Sequence, residues 1–290
     1  MDYKAWLFRC SHCRGLGRRS IRRLMSYLIE ENVELTSLSI YELQSWLRVP
    51  EKKIELFLKD WCRFDEKKAL ESYSQQAVGF ITSEDPEFPP LLKTIPDPPL
   101  FLYYMGHLEI SHFPQSLSVV GTRTPTSEGL EVMTRLLRPL VERGWTLVSG
   151  LATGVDGHAH KLGLASQTIA VLGSGFYHVY PRVHQVLFKT IARDHLALSE
   201  YPPSIPPQRW QFPERNRLIS GLTPATLVVE AKEKSGSLIT ADQALEQGRD
   251  VLAVPGSLLN ENANGTNGLI KQGASLVASY QDLLDINLLK

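Results

Sequence analysis

A chain of 290 residues, 43% hydrophobic and 21% charged, is long enough for one large domain or two ordinary ones and has the balance of a soluble globular protein. Lys plus Arg number 31 and Asp plus Glu number 31, so any polyanion must be met by local positive charge rather than by a basic whole. No run approaches the roughly 18 apolar residues that span a bilayer, the N-terminus lacks the order of a signal peptide, and three cysteines cannot form a disulfide framework; a reducing, cytoplasmic setting without membrane contact is expected.

Residues 1–75 carry apolar side chains at helical spacing: Trp6, Leu7, Leu16, Ile21, Leu24, Met25 and Leu28, then Leu35, Leu38, Leu43, Trp46 and Leu47, then Ile54, Leu56, Phe57 and Trp61. Ser39 and Pro50 punctuate them. The pattern predicts a small bundle of short helices, SAM-like or, from the Gly15-Leu-Gly17 step, helix-hairpin-helix-like. Arg9, Arg14, Arg18, Arg19, Arg22 and Arg23 arrive with no acid among them. A solvated helix face explains such a run better than a phosphate contact does. Cys10-Ser-His-Cys13 has only Cys62 as a further cysteine, short of a structural zinc set, so ordinary thiols and no metal are expected.

From 76 to 115 prolines become dense, at Pro86, Pro89, Pro90, Pro96, Pro98 and Pro99, which excludes a long helix. Phe80-Ile-Thr and the run 100–105 read as two strands in an ordered connector. A main domain over 76–290 then alternates strand and helix. Strands are expected at 117–121, 146–149, 168–172, 196–199, 227–230, 251–254 and 276–278. Helices are expected at 127–143, 156–165, 184–194, 215–221, 240–248 and 268–273. The strands are nearly all apolar, as in a parallel sheet covered on both faces. The expected class is therefore α/β: an extended Rossmann-like, doubly wound, mostly parallel sheet, preceded by a small all-helical N-terminal domain.

Ligands of such a sheet sit beyond the carboxyl ends of its strands. There the chain places Gly121-Thr-Arg123, then Ser149-Gly-Leu-Ala-Thr-Gly-Val-Asp156, Gly173-Ser174-Gly175, Glu200-Tyr-Pro, Ser235-Gly-Ser237 and Pro255-Gly256. Small residues at strand ends leave backbone N–H groups open to phosphate oxygens. Arg123 adds a bidentate fork; Arg182, Arg215 and Arg217 are further cationic candidates. The first strand is not followed by G-x-G-x-x-G, and no G-x-x-x-x-G-K-[ST] occurs, which argues against a dinucleotide site and a P-loop. Asp156-Gly-His158-Ala-His160 is the most polar helix start, but His at i and i+2 do not share a helix face and make poor metal partners. Asp156 suits a cap or first-turn acid better than catalysis. Ser149, Glu200 and Glu230 follow no nucleophile–base order. No catalytic residue is assigned.

The succession of these motifs, with Tyr-Pro-Arg182, Phe-Pro-Glu-Arg215-Asn216-Arg217-Leu-Ile-Ser-Gly and Gly-Thr-Asn-Gly-Leu-Ile-Lys-Gln-Gly-Ala among them, closely resembles the DprA (Smf) family from about residue 80 onward. The resemblance implies a single-stranded DNA-binding protein of natural transformation. Such a protein protects incoming strands, loads the recombinase RecA on them and assists displacement of single-strand-binding protein. It is no enzyme, needs no cofactor, and is a homodimer. The DNA-binding residues implied are Gly121 and Arg123, Gly173 to Gly175, and Arg182 where the family usually has lysine. The turn Arg215-Asn216-Arg217 is a further candidate, and the segment around Ile270 and Leu276 is expected to form the dimer face. A C-terminal winged helix, present in some relatives, is not expected. The alternatives are a nucleotide-hydrolysing Rossmann-fold enzyme and a small-nucleotide sensor. Phosphoribohydrolases of the first kind carry Pro-Gly-Gly-x-Gly-Thr, whereas Pro255-Gly256 is followed by Ser257.

Overall fold

The computed structural model describes residues 2–284. It divides into two units, Met1–Asp85 with Pro99–Leu102, and Pro86–Pro98 with Tyr103–Lys290.

The first unit holds five helices, α1 (Tyr3–Ser11), α2 (Arg18–Glu30), α3 (Ile40–Leu47), α4 (Glu51–Arg63) and α5 (Glu66–Gln75), and the strand β1 (Gly79–Thr82). Their ends are set by local side chains. Asp2 caps α1 through the N–H groups of Lys4 and Ala5, and Ser39 and Glu42 form a reciprocal capping box on α3. Between α1 and α2 the chain turns at Gly15, φ +96°, where an added Cβ would stand 2.1 Å from the Lys53 carbonyl oxygen, so only glycine fits. The apolar faces meet in one cluster of Trp6, Leu7, Cys10, Ile21, Leu24, Leu28, Leu43, Ile54 and Phe57. Cys10 and Cys13 are buried, and burial pushes both thiols up, Cys13 to about 12, so they pack as small apolar groups. Arg14 and Arg9 meet partners that their sequence neighbours do not contain. Arg14 forks onto Asp60 of α4 at 2.8 and 2.9 Å, and Arg9 lies 4.9 Å over the Trp61 ring.

The second unit contains α6 (Pro90–Lys93), β2 (Phe101–Gly106, from Tyr103 onward), β3 (Ser116–Val120), α7 (Ser127–Val141), β4 (Thr146–Ser149), α8 (Val155–Gly163), β5 (Gln167–Leu172), α9 (Gln185–Asp194), β6 (Leu196–Ser199), α10 (Gln211–Gly221), β7 (Ala225–Val228), α11 (Gly236–Glu246), β8 (Asp250–Ala253), α12 (Asn264–Lys271), β9 (Ser275–Leu276) and α13 (Gln281–Leu284). Its strands run in the order β2-β6-β5-β4-β3-β7-β8-β9. All neighbouring pairs from β6 to β9 are parallel, and β2 joins β6 antiparallel. Strands β3, β4 and β7 are buried along their whole length, which explains their mostly apolar character and puts Ser118, Thr146, Ser149 and Thr226 in the interior with the apolar residues. Leu117, Val119, Met133, Leu137, Leu140, Leu147, Ala159 and Leu227 form the core between sheet and helices. After β3 the chain builds outward through β4, β5 and β6, then returns to β7 on the other side of β3. The order therefore reverses between β3 and β7, the switch point at which doubly wound sheets open a crevice. The expected extended Rossmann-like sheet is the one observed. Among the described residues, no helix is long and apolar enough to cross a membrane.

Candidate nucleic-acid interface

The crevice at the switch point is a cavity of about 540 Å³. Its lining comes from the ends of three strands: Gly121 to Arg123 after β3, Ala152 after β4, and Ser235 to Ser237 after β7. The other wall is Tyr180 and the segment Arg209 to Asn216 that leads into α10.

Each loop is held by buried polar groups. Glu230, just past β7, accepts the Thr126 N–H at 2.9 Å and the Thr126 hydroxyl at 2.7 Å, while Thr126 caps α7 through the Gly129 N–H. Gly129 makes room for that carboxylate, since a Cβ would come within 2.5 Å of the Glu230 carboxyl carbon and push it out of place. This fixes the β3–α7 turn and leaves Arg123 exposed beyond it. Among the described residues no carboxylate pairs with Arg123. The turn after β4 is pinned group by group. Asp156 accepts the N–H groups of Gly150 and Ala152 at 3.2 and 3.3 Å. His160 Nε2 accepts that of Leu151 at 3.2 Å, and Leu151 sits at φ +61°. His184 Nδ1 lies 2.9 Å from the Leu151 carbonyl, and an Arg215 Nη1–H donates to the Gly150 carbonyl at 2.6 Å. His160 is fully buried with Nδ1 2.7 Å from Thr168 Oγ1, and burial foremost lowers its pKa to about 3; it is a neutral strut. His158 turns the other way and lies 2.8 Å from Thr134 of α7, as the spacing of the two histidines requires.

Arg215 forms the floor. It is 5% exposed, and its Nη1 also donates to the Val171 carbonyl at the end of β5. Burial brings its pKa down to about 10, opposed by Asp156 and assisted by the nearby charge of Arg123; it stays cationic at neutral pH. Burial raises the Asp156 carboxyl, and the Arg215 charge and the two N–H groups hold it back. The cavity thus has Arg123 and Arg209 at its surface and Arg215 beneath. Asp156 is the one carboxylate among its described lining residues, and it is committed to the backbone.

Two sequence expectations need correction. Arg215-Asn216-Arg217 is not an open turn: all three lie inside α10. Arg217 is buried and ion-paired with Glu200, while Asn216 donates to the Gly236 carbonyl. Helix α10 starts a turn earlier than expected because Pro213 falls in its first turn, where proline is tolerated. The Gly173-Ser174-Gly175 turn does not offer open amides. All three residues are buried; the Gly175 N–H goes to the Ile205 carbonyl at 2.8 Å, and the Ser174 hydroxyl to the His178 carbonyl. Segment 202–212 covers the turn, with the Phe212 ring 3.0 Å from where a Gly173 Cβ would be. Arg182 is exposed, one residue beyond Pro181, which adjoins Arg123 and Phe212 in a small side cavity. Ile270 is half-buried on α12, and Leu276 is 49% exposed on the edge strand β9. Arg209 and Tyr180 were missed as lining residues, since a proline-rich stretch without periodicity gives no sign of which side chains turn inward.

The family model for DNA recombination-mediator protein A matches residues 79–287. The chain belongs to that family. Over 220 residues it is 44% identical to the DNA processing protein DprA of Bacillus subtilis (strain 168), covering 75% of this chain and 74% of the relative. Over 272 residues it is 38% identical to DprA of Streptococcus pneumoniae R6, covering 93% of each. The X-ray structure of the S. pneumoniae DprA superposes with a TM-score of 0.82 at 35% identity over 98% of this chain and 97% of that one. A DprA structure from Helicobacter pylori, described for its single-stranded DNA binding mode, superposes with a TM-score of 0.65 at 30% identity over 71% and 94%. The DprA resemblance read from the motifs is thereby shown, and it brings the S. pneumoniae fold with it.

Proposed function

We propose that this family member binds single-stranded DNA in natural transformation, gripping the sugar-phosphate chain at the switch-point cavity without breaking bonds. Arg123 carries the reading: it is an exposed guanidinium, set by a rigid turn at the mouth of a cavity whose floor is a second guanidinium. Gly121 lets the turn that carries Arg123 pack against Val155 and the Glu230 carbonyl, Arg182 extends the positive surface, and Gly173 to Gly175 support the wall behind Phe212. Few phosphates are met per subunit, consistent with a neutral protein. The H. pylori relative's single-strand binding supports the same assignment here. The cell role that follows is protection of incoming strands and loading of RecA on them, with displacement of single-strand-binding protein.

The experiment offers ATP, GTP and a short oligothymidine separately and follows both binding and turnover. Oligothymidine should bind with no nucleotide consumed; turnover without oligomer binding would favour the hydrolase reading instead. The cavity itself argues against hydrolysis, because Asp156 is held by two N–H groups and is no general base.

The working form is a homodimer through the β9 edge, where Leu276 is half exposed and strand pairing ends. Two linked cavities raise occupancy on one strand through effective concentration. Leu276→Glu should elute as a monomer in size exclusion, and a variant that still elutes with the unaltered protein's dimer would place the contact elsewhere.

A further inference from the structure

Two aromatic rings, Tyr180 and Phe212, line the cavity, and a second pair is formed by Trp210, next to the lining residue Arg209 in sequence, and Tyr201. Tyr180 is 49% exposed and packs at 5.6 Å, tilted 56°, on the half-buried Phe212. Trp210 is 60% exposed and meets Tyr201 at 6.0 Å and 80°. In such an edge contact one ring keeps its faces uncovered. Trp210 lies in sequence between Arg209 and Phe212, which both line the cavity with Tyr180 and Arg123. Exposing a tryptophan and a tyrosine to water leaves large apolar surface unburied, and here it happens beside cationic side chains rather than within an apolar patch.

We propose that Tyr180 and Trp210 form a stacking shelf for nucleobases, with Phe212 bracing Tyr180 and Tyr201 bracing Trp210. The inference rests on the strand-binding reading above and adds what phosphate contacts lack. A guanidinium grips a phosphate in duplex and single strand alike. A ring face is reached only by a base whose own faces are free, so the shelf selects unpaired strand. Every base has such a face, so it does this with little sequence preference. The interleaved arginines favour this occupant over an apolar protein segment, which would gain nothing from Arg123 and Arg209. The phenol oxygen of Tyr180 has no part in stacking, so the ring alone should suffice.

The test compares oligothymidine with an abasic deoxyribose-phosphate oligomer of equal length, by fluorescence anisotropy on the full chain. The unaltered protein should prefer oligothymidine. In Tyr180→Ala and in Trp210→Ala that preference should fall roughly five- to one-hundred-fold, the range for losing one base stack, and Tyr180→Phe should restore it. Equal binding of the two oligomers by the unaltered protein would overturn the shelf while leaving the phosphate site standing. So would alanine variants that weaken both oligomers alike. Binding of neither oligomer would remove the phosphate site and the shelf together. A circular-dichroism melt of each variant separates lost stacking from lost folding.

Discussion

Replacing Arg215 by methionine should destabilise the fold by about 3–5 kcal/mol, since its buried guanidinium donates to two backbone carbonyls, hydrogen bonds from a charged group worth about 1.5–3 kcal/mol each. Asp156 would then sit in the interior with no counter-charge, and the Gly150 and Val171 carbonyls would each lose the guanidinium donor they share. The space is shaped for that group: a Cβ at Gly150 would stand 2.4 Å from its nitrogens. Asp156→Asn in the same chain should recover part of the loss, because the amide keeps an acceptor for the Gly150 and Ala152 N–H groups and removes the stranded charge. Urea unfolding of the single and double variants measures both effects. A midpoint for Arg215→Met equal to that of the unaltered protein would mean that the floor of the cavity is not held in this way.

Arg123→Ala should do the reverse. The side chain is exposed, and among the described residues no carboxylate pairs with it, so stability should change by less than about 0.5 kcal/mol. Affinity for oligothymidine should nevertheless fall about ten- to one-hundred-fold, the worth of a hydrogen bond to a charged phosphate. Arg182→Ala should act in the same direction. The two sites thus separate cleanly: Arg215 is expected to govern the shape of the crevice, Arg123 its grip.

How much of this could be read beforehand follows from what kind of signal each part carries. The parallel strands were legible to within a residue or two because burial on both faces demands mostly apolar runs, as at Leu117, Val119 and Val120 around the buried Ser118. Helix starts were less so. Helices α10, α11 and α12 each begin about a turn before the expected residue, at Gln211, Gly236 and Asn264. Their first turns hold proline, glycine, serine and asparagine, which read as loop. Yet Gly265 is there because a Cβ would stand 2.7 Å from the Ala231 carbonyl oxygen, a reason that exists only once the chain is folded. The same holds for the arginines. Nothing near Arg215 or Arg217 in sequence shows that one meets Gly150 and Val171 and the other Glu200. Arg123 was legible because its signal is local: a strand, a glycine, and a cation at the turn. The covering of Gly173 to Gly175 by segment 202–212 was not, since it joins parts of the chain about 30 residues apart.

The most direct measurement is the salt dependence of oligothymidine binding, taken for the unaltered protein and for Arg123→Ala between low and moderate salt. Each phosphate neutralised on a single strand contributes about −0.7 to the slope of log affinity against log salt concentration. If Arg123 grips one phosphate, the slope should become shallower by about that amount and the two lines should converge at high salt. Superimposable lines, with the same slope and the same affinity, would contradict the account.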